Sequence, residues 1–172
     1  MDYYYKLIIR ILIPLIISYA LIESFISNIT LDLVYFISLL LNQSVFIVDN
    51  FLFFNDKIVG FVEACGAPSA YYLLLLLVCY TKDIKFIRGL KVFFYGSFCI
   101  LVINLFRILL LLFVLDMYGR DYFDTLHMWF WGVISSTVVA LIWIFFVKRY
   151  HIIGIPVVSD VKYLLKRIKL FK

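Results

Sequence analysis

Between Lys91 and Asp116 the chain runs for 24 residues with a single charge, Arg107. As an α-helix that stretch reaches about 36 Å, at about 1.5 Å per residue. A hydrocarbon layer is about 30 Å thick. Few globular cores could enclose such a rod, and the remaining residues do little to cover it. Of 172 residues, 66% are hydrophobic and 16% are charged, far from the balance of a soluble domain. Lipid is the solvent that suits this chain, and helices are the structures that satisfy their own backbone within it. The expectation is an all-α integral membrane protein folded as one membrane domain over residues 1–172.

Four runs have the composition of transmembrane helices: Leu7–Ile22, Ala67–Tyr80, Leu90–Leu115 and His127–Val147. The first has two readings. Ser18-Tyr19-Ala20 resembles a weak signal-peptide cleavage site, and the favoured reading of the run is an uncleaved anchor. The charges between the runs orient them. Lys and Arg number 2 before and within the first run, 4 over residues 81–91 and 7 from Lys148 onward, which together are 13 of 16. Cytoplasmic loops carry such an excess. Both termini and the 81–91 loop are therefore expected in the cytoplasm of a cell membrane, with residues 55–66 and 116–126 outside. The same clustering beside apolar runs argues against nucleic acid as the reason for the net charge of +5.

Residues 31–64 do not read as a span, because Asn42-Gln43-Ser44 and Asp49-Asn50 interrupt them. A short interfacial helix is expected at Asp32–Leu41, followed by an outer β-hairpin. Its strands would be Val45–Phe54 and Ile58–Ala64, turned at Asn55-Asp56-Lys57. At the C-terminus, residues 159–172 are basic. Val161, Leu164, Leu165 and Ile168 fall on one helical side, which suggests an amphipathic helix on the anionic inner leaflet. A solvated basic tail is the alternative.

Three polar residues then come to one depth. Cys65 lies 17 residues before Lys82, Arg107 lies 16 after Lys91, and His127 lies 21 before Lys148. Those separations are roughly 26, 24 and 31 Å of helix, so each reaches the outer boundary. Each also has an ordinary explanation. Cys65 can be a small buried residue, although Pro68 suits a helix start and a helix N-terminus lowers a thiol pKa. Arg107 can snorkel to the headgroups, although intramembrane arginine is costly and Asn104 shares its face. His127 can be one more interfacial residue beside Trp129 and Trp131, with Asp124 capping its helix or orienting the imidazole. Together they make a reaction centre. The imidazole can take the thiol proton and return it to a leaving amine. The guanidinium can stabilise the oxyanion formed on acyl attack.

At these residues the chain resembles the exosortase/archaeosortase family of membrane transpeptidases. The matching pieces are Val62-Glu63-Ala64-Cys65-Gly66, Asn104-Leu105-Phe106-Arg107-Ile108 and His127, within a core of about 45–147. The resemblance implies Cys65 as nucleophile, Arg107 as stabiliser and His127 as acid/base, with Glu63, Asn104 and Asp124 in support. It implies substrate proteins bearing a C-terminal sorting signal: a short motif, a transmembrane helix and a basic cluster. Cleavage at the outer face would pass the surface protein to an acceptor, for which membrane lipid is one candidate. This chain has Cys65-Gly66-Ala67 where family members commonly have Cys-Ser-Gly. It also has about half their usual spans, as a minimal form that would call for a partner subunit.

No cofactor is expected. Two His and scattered Cys give no metal-ligand spacing. The competing reading is a non-enzymatic membrane subunit for transport or envelope assembly, in which Arg107 lines a pathway or pairs with a partner's acid.

Overall fold

A computed structural model describes residues 3–49, 51–82, 84–130 and 135–169. The elements run α1 (Tyr3–Ile16), α2 (Tyr19–Leu40), β1 (Val45–Val48), β2 (Phe51–Phe54), β3 (Lys57–Gly60), a 3₁₀ turn (Glu63–Gly66), α3 (Pro68–Cys79), α4 (Phe86–Tyr118), α5 (Arg120–Trp129), α6 (Ser135–Arg149) and α7 (Val158–Lys169).

The expectation of about four transmembrane helices is overturned. Among the described residues two helices are long and apolar enough to cross a membrane, α2 and α4. Core helices of soluble proteins and signal sequences meet the same criterion. The reasons lie at the helix ends. The run Leu7–Ile22 breaks at Ser18, whose backbone is extended (φ −62°, ψ 152°) and whose hydroxyl accepts from the Leu21 N–H. Serine is a favoured N-cap, so one helix stops at Ile16 and a new one starts at Tyr19. The new helix continues to Leu40 and absorbs the segment expected as a separate interfacial helix. The Ala67–Tyr80 run yields the 12 residues of α3, about 18 Å of helix. Of the His127–Val147 run, the described parts are the last turn of α5 and most of α6. Trp131 and the rest of 131–134 lie outside the described residues, as do residues 170–172 of the expected tail.

The chain is also not all-α. The expected two-stranded hairpin is a three-stranded antiparallel meander, β1-β2-β3, with Val48 opposite Phe51 and Phe54 opposite Lys57. Asp49 and Asn55 take positive φ, 53° and 52°, as two-residue hairpin turns require. The extra turn at Asp49 divides the run that was expected to be one strand. Asn55 then fastens the sheet to the end of α4. Its side-chain N–H₂ donates to Gln43 and to Asp116, at 3.0 Å each, and its carbonyl oxygen accepts from the Ser44 N–H at 3.1 Å.

Two cores result. One gathers Tyr71, Leu74, Val92, Ile100, Val139 and Trp143 between α3, α4 and α6. The other packs Leu52, Phe54 and Phe61 of the sheet region against Val34 of α2 and Ile108 and Leu112 of α4. In α2 the buried positions are Ser27, Thr30, Val34 and Ser38, while Leu21, Phe25, Phe36 and Leu40 are exposed. The inward face of α2 is thus small and mostly polar, and its outward face large and apolar.

Candidate active site

The 3₁₀ turn carrying Cys65 is held from two sides. From α2, the Ser27 hydroxyl donates to the Glu63 carbonyl at 2.6 Å. From α4, Asn104 Nδ2 donates to the Cys65 carbonyl at 2.9 Å, and Arg107 Nη2 donates to the same oxygen at 3.2 Å. Asn104 and Arg107 are one helical turn apart and so share a face. Asn104 is only 5% exposed, which makes its hydrogen bond the means of burying its amide. Gly66 is where the turn meets α2. A Cβ there would lie 3.0 Å from both Cα and Oγ of Ser27. A side chain at position 66 would require Ser27 to give way by a few tenths of an ångström.

His127 arrives by another route. α4 ends at Gly119, whose φ of 87° is glycine's region, and the chain restarts at once as α5. His127 sits in the last turn of α5, with its ring stacked on Phe123 at 5.6 Å. The expected run from His127 to Lys148 passes through residues 131–134, which lie outside the described residues. Asp124 is within α5, so it does not cap the helix; its carboxylate lies 3.8 Å from Arg120 Nε.

Cys65, Arg107, Asp124 and His127 nevertheless line one cavity of about 220 Å³, together with Arg120 and Phe123. Leu52, Phe61 and Leu112 supply apolar wall. Glu63 is exposed and contributes its backbone carbonyl, while its side chain is absent from the lining. The lowered thiol expected for Cys65 is corrected: burial pushes its pKa up, opposed by a backbone hydrogen bond at Val62 and by the Arg107 charge. Desolvation of a half-buried thiol outweighs the end of a 12-residue helix. Burial also lowers His127, Arg107 lowers it further, and Asp124 pulls it back up. Both groups that line the cavity are thus neutral near neutral pH, the protonation states from which an imidazole can take a thiol proton.

Ser27 and Arg120 were not singled out from the sequence. Ser27 is one of many hydroxyls in an apolar run, and only the packing of α2 against the turn reveals it. Among the described residues no group of three or more His, Cys, Asp or Glu could hold a metal. The three cysteines are free thiols, with Cys79 and Cys99 away from the cavity. Comparison with protein-family models, curated proteins and solved structures finds no match.

Proposed function

We propose that the protein is a cysteine peptidase or transpeptidase resembling the exosortase/archaeosortase family, acting on proteins that carry a C-terminal sorting signal. The observation that carries this reading is the cavity shared by Cys65, Arg107 and His127. The thiol of Cys65 attacks the carbonyl carbon of the scissile peptide. His127 takes the thiol proton, and Arg107 offsets charge on the tetrahedral oxygen. When the C–N bond breaks, His127 returns that proton to the leaving amine. The thioester on Cys65 is then attacked by an acceptor hydroxyl or amine, or by water. This frees the thiol and releases the product. Phe61 and Leu112 keep the cavity apolar, which strengthens these electrostatic contacts. The apolar outer face of α2 fits a site beside a membrane, with the cavity open to the outside and both termini in the cytoplasm.

A second reading has its own support. Asn104 and Arg107 both donate to the Cys65 backbone carbonyl, and burial keeps the thiol protonated. That is also how a non-enzymatic subunit would clamp a turn. One experiment separates the two. A protein bearing a helix-plus-basic C-terminal signal is co-expressed, and its size shift is followed. Cys65→Ala should abolish processing, while Cys79→Ala and Cys99→Ala should leave it near normal. Normal processing by a Cys65→Ala protein expressed at normal levels removes the enzyme reading. A Cys65→Ser protein that supports full cellular function selects the subunit.

A further inference from the structure

At the other end of α3 lies a second cavity of about 540 Å³. Four segments distant in sequence meet around it. The loop after α3 brings Lys82, the first turn of α4 brings Arg88, the turn after α6 brings His151, and α7 brings Ser159 and Lys162. No carboxylate is among its described lining residues. The nearby acid Asp160 is 7% exposed and is bonded to Tyr3 and Arg10.

Several of these groups are held in place. Lys82 Nζ rests 4.1 Å from the centre of the Tyr163 ring. Arg88 Nη1 donates to the Tyr150 carbonyl at 3.4 Å. Ser159 Oγ accepts from the Ile155 N–H at 2.9 Å, which leaves its own O–H to donate. The connecting backbone is strained at two positions. His151 and Val157 take φ of 49° and 62°, a region that a β-branched residue rarely adopts. The Val157 N–H bond to the Tyr80 carbonyl, at 3.0 Å, fixes the turn against the end of α3. Such strain persists where the surrounding structure over-determines it, and it clusters at binding sites.

Lys82, Arg88, Lys162 and the His151 imidazole line one hollow, and no carboxylate among its described lining residues balances them. The donors are a planar guanidinium fork, two ammonium groups, an N–H and an O–H, all suited to the several acceptor oxygens of a phosphate. We infer that this cavity binds a phosphate group. The source is a phospholipid headgroup or a free phosphate compound. Fully exposed Ile153 (96%) and exposed Phe86 (74%) beside it favour the lipid, since they offer an apolar surface to acyl chains. This site is independent of the chemistry at Cys65.

The test uses the full chain purified in a non-ionic detergent. Its unfolding midpoint is followed with inorganic phosphate, with dioctanoyl phosphatidic acid, and with dioctanoylglycerol as the phosphate-free control. Chloride balances the ionic strength. Ligand at about a hundred times its Kd should raise the midpoint by about 5 °C. Arg88→Gln/Lys162→Gln should lose the rise. Lys148→Gln/Arg149→Gln, which removes cations outside the cavity, should keep it. If the first pair does not fold, His151→Gln/Lys162→Gln takes its place, since both of those side chains are exposed. A rise with inorganic phosphate identifies a free phosphate compound, and a rise with phosphatidic acid alone identifies a headgroup. No rise with either, an equal rise with dioctanoylglycerol, or an equal loss in the Lys148/Arg149 variant overturns the inference.

Discussion

Each end of α3 places an arginine on the backbone carbonyl of a cysteine. At the C-terminal end Arg10 Nε donates to Cys79 O at 2.7 Å; ahead of the N-terminal end Arg107 Nη2 donates to Cys65 O at 3.2 Å. The two differ in what else they touch. Arg10 is paired with Asp160, and both side chains are largely buried. Tyr3 adds a bond to that carboxylate at 2.8 Å, and its phenol is pushed up to about 12, by burial first and then by Asp160. This cluster ties α1, α3 and α7 together and caps the last carbonyls of a helix, as a cation near a C-terminus does. Arg107 sits beside a neutral amide, Asn104, and faces a cavity that also holds an imidazole and a thiol. The same bond thus belongs to a closed structural knot at one end and, at the other, to a largely apolar cavity holding a few polar groups. The contrast shows that a carbonyl contact alone says little about an arginine's role. Its remaining neighbours decide it.

The strongest way to break this contrast is through His127. If the Cys65 end is chemical, His127→Gln should lower processing by about 10²–10⁴-fold with little change in unfolding. The pH dependence gives a second reading of the same variant. The folded-state pKa of His127 lies below its ordinary 6.5, so the neutral base persists at pH 6.5 and is lost only as pH falls further. The Cys65 thiol lies above its ordinary 9.0, so thiolate forms only as pH rises past that value. Wild-type kcat/KM should therefore hold between these values and fall on the acid side below 6.5. The variant should instead climb with pH toward and beyond 9.0. A variant with a flat profile and wild-type rate would place His127 outside the chemistry.

The Arg10 end should respond in stability rather than activity. Arg10→Met leaves Asp160 buried without its cation, a loss of about 3 kcal/mol, seen in urea or thermal unfolding. Arg107→Lys should do the reverse, lowering processing through loss of the planar fork while the unfolding midpoint stays closer to wild type. If Arg10→Met unfolds at the wild-type midpoint, the knot is not holding the ends together.

The smallest effect sharpens the comparison. Ser27→Ala removes one hydrogen bond to the Cys65 turn and should cost about 1 kcal/mol. Because the turn positions the thiol, processing should fall with it. Thr30 makes an equivalent bond within α2, to the Ile26 carbonyl at 2.7 Å, so Thr30→Val should leave processing unchanged. Equal effects from both would mean that Ser27 acts only through helix stability.

Apolar run length located the longest helix. The 24 residues between Lys91 and Asp116 are helical because nothing in them breaks a helix, and α4 extends beyond them to 33 residues. The turn at Asn55-Asp56 was legible because asparagine tolerates positive φ. Cys65, Arg107 and His127 stood out because polar groups in apolar surroundings are few. Other features were local competitions that composition does not resolve. Ser18 turned one apolar run into two helices by capping the second, and Asp49 made three strands of an expected two.

What only the tertiary structure decided are the contacts between distant segments. Asn104 meets the Cys65 carbonyl across 39 positions, Ser27 meets Glu63 across 36, and Arg10 meets Asp160 across 150. Hydrophobic periodicity says which face of a helix seeks company, and it is nearly silent on which helix provides it. In α4 the outward and inward faces are both apolar, so register and rotation rest on a few polar bonds and on close-approach points such as Gly96, where a Cβ would lie 2.7 Å from the Leu74 side chain. The depth of His127 belongs to the same class. Gly119 ends α4 and the chain restarts as α5, which brings the imidazole of His127 to the cavity that Cys65 and Arg107 also line.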